Sequence, residues 1–326
     1  MKKIAIIGAG WVGCHLANTF KNKYNITLFD KEEEMFSGTS YYNQNRLHLG
    51  FHYPRSYKTR KLCKNSYQQF INVYPDITDR VKNNIYAVPE SKSILDFGTI
   101  KQIYSEEIEE EILLNNFKNI EGAFLTKERF INFNKARNYF KDKLKDVFCV
   151  DEIININKLS KKYDFVFNCT NNHIVVEKCE KDFYELTITL LCEKKRETQF
   201  EAVTLIDGNF FSIYPYSENL YTFTDVKETP IKKFNNVKDL EDYKKTFDIN
   251  ILENKIKLFF ENAEQFYPEI KKDFKYKNYY LSTKSKFLST SDDRSPVIKI
   301  NDNIISFFTG KIQGIFNIEN FVKNCI

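Results

Sequence analysis

Apolar positions run almost unbroken through "KIAIIG" (residues 3 to 8), the pattern of a strand buried in a parallel sheet. They then recur at three- and four-residue spacing to about Asn22, which predicts an amphipathic helix. A second apolar run, Asn25 to Phe29, ends in Asp30 and predicts the next strand. Residues 35 to 70, "MFSGTSYYNQNRLHLGFHYPRSYKTRKLCKNSYQQF", are polar and punctuated by glycine, so they read as a loop, with helical periodicity returning near Ser56. Residues 100 to 116 and 128 to 145 read as helices. From Tyr184 to Val226 the pattern changes to alternation, in "YELTITLLCE", "FEAVTLIDG", "NFFSIYPYSE" and "LYTFTDVK", and predicts an antiparallel sheet. Helices follow around 238 to 248 and 250 to 267, ended by Pro268. "FKYKNYYLSTKSKFL" returns to strand, and Asn303 to Phe308 is a last strand before a C-terminal helix.

A chain of 326 residues with 42% hydrophobic content can bury a large core, and no stretch approaches the roughly 18 apolar residues of a membrane span. The net charge of +5 comes from 49 basic residues interleaved with 44 acidic ones, which reads as a solvated surface rather than a nucleic-acid stripe. The first strand starts at Lys3 and leaves no room for a signal peptide, so the expected location is cytoplasmic. Seven scattered cysteines (Cys14, Cys63, Cys149, Cys169, Cys179, Cys192, Cys325) contain no CxxC pair and read as reduced thiols. Four dispersed histidines argue against a metal cluster.

Gly8, Gly10 and Gly13 form a G-x-G-x-x-G turn between the first strand and the first helix. That spacing allows a tight turn, close approach of a pyrophosphate and close helix–strand packing. The phosphates would sit on the helix N-terminus, whose free N–H groups favour negative charge. Asp30 stands about 20 residues past the first glycine, where a carboxylate accepts from ribose hydroxyls and repels a 2′-phosphate. NADP is disfavoured; FAD and NAD both remain. A dehydrogenase-type NAD domain would continue with regular strand–helix units after Asp30, and this chain instead enters the polar stretch 35 to 70.

The Gly-x-Gly turn, the acidic end of the second strand, "SGTS" and "LHLGFHYPRSYKTRKLC" resemble the D-amino-acid oxidase-like superfamily of FAD-dependent oxidoreductases, which includes glycine, sarcosine and L-2-hydroxyglutarate oxidases. "YDFVFNCTNNH" (163 to 173) is similar to the strand by which these folds return to the cofactor domain, with Asn171 and Asn172 where a glycine is usual. "STSDDRSPVIKINDNIISFFTGKIQGIFNIENFVKN" (289 to 324) is similar to the closing unit of that fold. The implied fold class is α/β: a discontinuous Rossmann-type FAD-binding domain (1–80, 146–182, 276–326) with an inserted α+β substrate domain on an antiparallel sheet (81–145, 183–275).

The resemblance implies non-covalent FAD held by Gly8, Gly10, Trp11, Val12, Gly13, Asp30, Lys31, Ser37, Thr39, Ser40, Arg46, Leu47, His48, Thr170, Arg294, Gly310, Ile312, Gln313 and Gly314. Tyr41 and Tyr42 stand where some relatives carry the histidine that bonds flavin covalently. His48 and His52 flank a glycine turn and suit a base near neutral pH. Tyr214 and Tyr216 lie on the alternating segment expected over the flavin, and Lys284 and Lys286 fall where related enzymes put a cation. Catalytic candidates are therefore His52, His48, Tyr214 and Lys284, with Arg55, Tyr53, Tyr216 and Lys286 for substrate binding; His173 would stand behind them. The expected partner is a small, anionic substrate oxidised at a C–N or C–OH bond, with a cell-surface sugar pathway as one setting. An NAD-dependent dehydrogenase and a non-catalytic dinucleotide-binding module are the alternatives.

Overall fold

The computed structural model describes residues 1–153, 155–176, 182–287 and 293–326. β1 (Lys3–Ile7), α1 (Trp11–Phe20) and β2 (Asn25–Asp30) form the opening unit, with β1 and β2 parallel. Gly13 makes this junction possible. A Cβ there would lie 1.9 Å from the Gly8 carbonyl oxygen, so only glycine lets the helix sit this close to the strand. The chain continues through β3 (Arg46–Leu47), α2 (Tyr57–Val73), β4 (Thr78–Arg80), β5 (Asn84–Pro89), α3 (Phe97–Ile103), β6 (Ile108–Ile112), β7 (Ile120–Thr126) and β8 (Arg129–Ile131) to α4 (Phe133–Leu144). The Ser56 side chain caps α2 by accepting from Thr59 N–H, which explains why helical periodicity begins there.

The helix expected over 100 to 116 is corrected: α3 stops at Ile103, and Ile108–Ile112 is an edge strand paired with β7. Its glutamates favour helix locally, but pairing with β7 and burial of the flanking isoleucines override that preference. Within 128 to 145, the first residues form β8, and Asn132 caps α4 through Lys135 N–H. Ala136, Phe140 and Leu144 of α4 join the core around α1. There the Trp11 ring meets Phe36, Phe70, Tyr74 and Phe140 edge-on at 4.9 to 6.0 Å. Such pairs add about 0.5–1.5 kcal/mol each beyond area burial.

β9 (Phe148–Val150), α5 (Ile156–Ser160) and β10 (Phe165–Asn168) return to the first sheet. β11 (Asp182–Lys194), β12 (Ala202–Leu205), β13 (Phe211–Ser217), β14 (Leu220–Asp225) and β15 (Pro230–Phe234) realise the alternating segment. α6 (Val237–Lys245), α7 (Ile249–Glu264), α8 (Ile270–Asp273) and β16 (Phe274–Phe287) follow, and β17 (Val297–Asn301), β18 (Ile304–Phe308) and α9 (Ile315–Cys325) close the chain. The first sheet has the order β17-β18-β10-β1-β2-β9, parallel except for the β17–β18 pair. The second, nine-stranded sheet runs β15-β11-β14-β13-β12-β5-β7-β6, with β16 also paired to β11. It is mixed rather than antiparallel throughout, because β12 and β5 run parallel. β11 and β16 pair along nearly their whole length, with one bulge where Lys277 is the extra residue between Tyr276 and Asn278. No helix among the described residues is long and apolar enough to cross a membrane. Cys179 lies outside the described residues.

Candidate functional site

The glycine turn is the first wall of the site. Asp30, at the end of β2, accepts from Ala9 N–H at 2.6 Å and from Glu32 N–H at 3.0 Å, so its carboxylate is held at the mouth of the turn. The α1 N-terminus opens beside it, with Trp11 N–H donating to Ser40 Oγ at 3.1 Å. At Gly10 a Cβ would meet nothing closer than Ser40 Oγ, at 2.8 Å, so the turn leaves a cradle in front of its amides. Lys31 is exposed, and Ser37 and Thr39 bond to the Glu34 and Thr283 carbonyls. Val12 and Leu47 contribute packing, and Trp11 brings its backbone to the turn while its ring points into the core.

The second wall comes from three separated segments. Lys311 Nζ donates to His48 Nε2 at 2.9 Å, and Gln313 Nε2 donates to the His48 carbonyl at 2.5 Å. Lys311 also lies over the Tyr53 ring at 4.7 Å, with Arg294 at 5.7 Å from the same ring. Arg294 packs against Gly310, and Gly314 starts α9 after Ile312. Tyr53, His48, Arg294, Gly310, Ile312, Gln313 and Gly314 are thereby brought together.

Beneath this wall lies a buried charged network. Arg46 is enclosed: Nη1 donates to the Tyr86 hydroxyl at 2.6 Å and Thr204 Oγ1 at 2.9 Å, and Nη2 to Ser212 Oγ at 2.9 Å. Its guanidinium stacks on the Tyr214 ring at 3.9 Å. Glu128 faces it at 3.5 Å, accepts a hydrogen bond from the Tyr86 hydroxyl at 2.6 Å, and accepts Leu49 N–H at 2.6 Å. The Tyr86 hydroxyl also meets His52 Nδ1 at 3.0 Å. Burial, then the Lys311 and Arg46 charges, holds His48 well below the usual histidine value; burial, then Arg46, does the same for His52. Both rings are neutral at physiological pH.

The third wall is β16. Lys284 and Lys286 share one face of it, opposite Glu185 of β11, which pairs with Lys286 at 2.6 Å. Lys284 keeps surface open to the cleft although protein surrounds it, and that embedding, followed by repulsion from Lys286, Lys311 and Arg294, lowers its pKa to about 8. On the other face, Ser285 Oγ donates to the Asn171 carbonyl at 2.5 Å, joining β16 to the loop after β10. Thr170 is tied into that loop by Asn168 Oδ1 and Ile174 N–H. Asn171 and Asn172 both adopt positive φ, 54° and 65°, so asparagine supplies here the left-handed turn for which glycine is usual.

Some candidates stand apart. Tyr214 is fully enclosed as the platform under Arg46, and Arg46 itself is buried against the second sheet, so neither side chain reaches the cleft surface. Tyr216 is buried among Tyr41, Phe133 and Tyr280. Arg55 forms an ion pair with Asp207 at 3.0 Å, tying the 50s loop to the end of β12. His173 donates its backbone N–H to the Thr170 carbonyl and sits on the loop edge. Glu128, Tyr86, Lys311 and Asp207 were absent from the sequence candidates. Lys311 lay inside the quoted "TGKIQG", but nothing local marks Glu128 or Tyr86.

Residues 3–93 match the family described as FAD dependent oxidoreductase, DAO. The FAD-dependent monooxygenase FPY4 of Fusarium mangiferae is 31% identical over 330 residues, covering 96% of this chain and 88% of the relative. The chain belongs to the DAO family of FAD-dependent oxidoreductases. Among solved structures, glycine oxidase from Geobacillus kaustophilus aligns with TM-score 0.68 and 13% identity, over 97% of this chain and 91% of that one. L-α-glycerophosphate oxidase from Mycoplasma pneumoniae, with FAD bound, aligns with TM-score 0.68 and 13% identity, over 98% and 94%. The cofactor of this DAO-family enzyme is FAD, and the nicotinamide and non-catalytic alternatives give way to it.

The residues present fit that cofactor. The Gly10 cradle and the α1 N-terminus suit a pyrophosphate. On the second wall Gln313 Oε1 is a buried polar atom without a hydrogen-bond partner, beside the Nε2 that donates to the His48 carbonyl. Buried polar atoms are normally satisfied, so such a group points to a polar ligand edge at this place.

Proposed function

We propose that this flavoenzyme oxidises a small anionic substrate at a C–N or C–OH bond. The observation that carries the reading is the convergence of Lys284, Lys286, Arg294 and Lys311, close enough for three of them to depress the pKa of the fourth. Glu185 offsets part of this charge through Lys286, the cluster still repels Lys284 on balance, and an anion bound there relieves that repulsion. Bound FAD would supply the two-electron acceptor, taking hydride at its N5.

This chain's own residues do the rest. Gly8, Gly10 and the α1 amides would hold the pyrophosphate, and Asp30 the adenosine ribose. Lys284 and Lys286 bind and orient the anion, and Tyr53, flanked by Lys311 and Arg294, walls the cleft. The half-buried, neutral His52 takes the proton released from the amine or alcohol. FAD is held non-covalently, with tyrosines at 41 and 42.

The test is an anaerobic screen of small amino acids, hydroxy acids and sugar acids against the purified yellow protein. Bleaching of the flavin band by anionic members, and not by their neutral amides or esters, supports the reading; bleaching by neutral members alone overturns it. The name of the Fusarium relative, an FAD-dependent monooxygenase, favours a second reading, monooxygenation. Turnover under labelled dioxygen separates the two: a product bearing the label is a monooxygenase product, whereas an unlabelled imine or ketone with hydrogen peroxide marks an oxidase.

A further inference from the structure

The Tyr86 hydroxyl carries one proton and stands within hydrogen-bond distance of three groups: Glu128 Oε2 at 2.6 Å, Arg46 Nη1 at 2.6 Å and His52 Nδ1 at 3.0 Å. A guanidinium only donates and a carboxylate only accepts. The Tyr86 proton therefore goes to Glu128, and the oxygen accepts from Arg46 and from His52. His52 can donate only with hydrogen on Nδ1. A neutral imidazole carries a single N–H, so Nε2, on the opposite ring edge, keeps its lone pair. That nitrogen takes no hydrogen bond among the described residues, and His52 is half-buried rather than enclosed.

The surrounding charges fit this pattern. Arg46, His48 and Lys311 all disfavour imidazolium, and the ring of His48 lies edge-on to that of His52 at 4.9 Å. His48 is pinned separately: Lys311 donates to its Nε2, which places its hydrogen on Nδ1, 3.7 Å from Glu128 Oε1. Glu128 is itself held by the Leu49 N–H, a donor that cannot turn away.

We propose that Glu128 is a positioning residue: acting through Tyr86, it locks His52 as the Nδ1–H tautomer and leaves Nε2 facing outward as the proton acceptor of the cleft. The use of Nε2 in turnover rests on the oxidation reading above; the tautomer does not. Glu128 lies 42 residues from Tyr86 and touches no part of the cleft surface, so its effect travels by hydrogen-bond direction alone.

The direct test reads the tautomers. The chain has four histidines, so long-range proton–nitrogen correlation spectra of the FAD-loaded, imidazole-labelled protein contain few signals, and His52→Asn assigns the relevant one. The wild type is expected to show His52 protonated at Nδ1 alone. In Glu128→Gln the amide oxygen must face Leu49 N–H, and the NH2 then faces Tyr86. Tyr86 is forced to accept there and to donate to His52 Nδ1, so the tautomer switches to Nε2–H. Flavin bleaching by a substrate would slow at least tenfold with KM unchanged. Tyr86→Phe removes the lock, and His52 should show a mixture of tautomers. A wild-type His52 that is Nε2–H or doubly protonated at pH 7, a Glu128→Gln variant with the wild-type tautomer, or a Tyr86→Phe variant still purely Nδ1–H overturns the proposal. The wild-type and Tyr86→Phe spectra decide if Glu128→Gln does not fold. Failure of the oxidation reading would register separately, as the expected tautomers without bleaching by any substrate.

Discussion

Lys284 is a charge whose value depends on pH inside the ordinary working range. Its pKa, lowered to about 8 by the protein packed around the cleft and then by Lys286, leaves it cationic below that pH and neutral above it. The KM for an anionic substrate is therefore expected to rise above pH 8, and Lys284→Arg should move that rise to higher pH, because a guanidinium stays charged. Lys284→Met should raise KM and flatten the profile. Steady-state kinetics across pH 6 to 10 would check all three. The glycine turn offers a sharper contrast. Gly10→Val meets only the movable Ser40 hydroxyl, so the variant should fold with native circular dichroism yet purify colourless. Gly13→Ala drives a methyl into the Gly8 carbonyl, and should cost about 1–3 kcal/mol of stability or more. The turn and Asp30 could be read from sequence because their partners lie within about 20 residues. Lys311 meets His48 across 263 residues, and no local spacing encodes such a pair.

At the scale of elements, α1 and α9 are pinned by His15. Its Nδ1 meets the Tyr74 hydroxyl at 2.6 Å and its Nε2 meets Glu319 at 2.9 Å, while Glu319 also pairs with Lys323. The His15 hydrogen bond, more than Lys323, lowers the Glu319 pKa from 4.5 to about 2. Because the folded-state value is depressed, the stabilisation is complete above pH 4.5 and is lost as pH falls toward 2. Thermal melts between pH 6 and pH 3 should thus fall less for Glu319→Gln than for the wild type, the variant having already lost that contribution. Most elements were legible from periodicity: β1, β2, β11 to β14 and β16 all follow runs or alternation visible in the chain. β6 was not, since a glutamate-rich edge strand looks helical until its partner β7 is known. The parallel β5–β12 pair was equally hidden, being formed by segments more than 100 residues apart.

For the whole molecule, the proposed cofactor site draws on segments at residues 8–13, 30, 39–53, 170 and 294–314, and no one stretch of chain holds it. A ligand that binds only when these segments are assembled stabilises the assembly, by about 2.7 kcal/mol at a free concentration of 100 times Kd. Removing FAD should lower the melting temperature by several degrees, and adding it back should restore the loss in a concentration-dependent way, as scanning fluorimetry would record. Lys277, the additional residue accommodated where β11 and β16 slip past each other, is absorbed as a local kink. Cross-strand neighbours share one side of the ribbon, so deleting that residue would close the kink and leave every later residue level with its present β11 partner. Lys284 would still stand opposite Glu185, and the cation trap should outlast the loss of the residue that bends the ribbon beneath it.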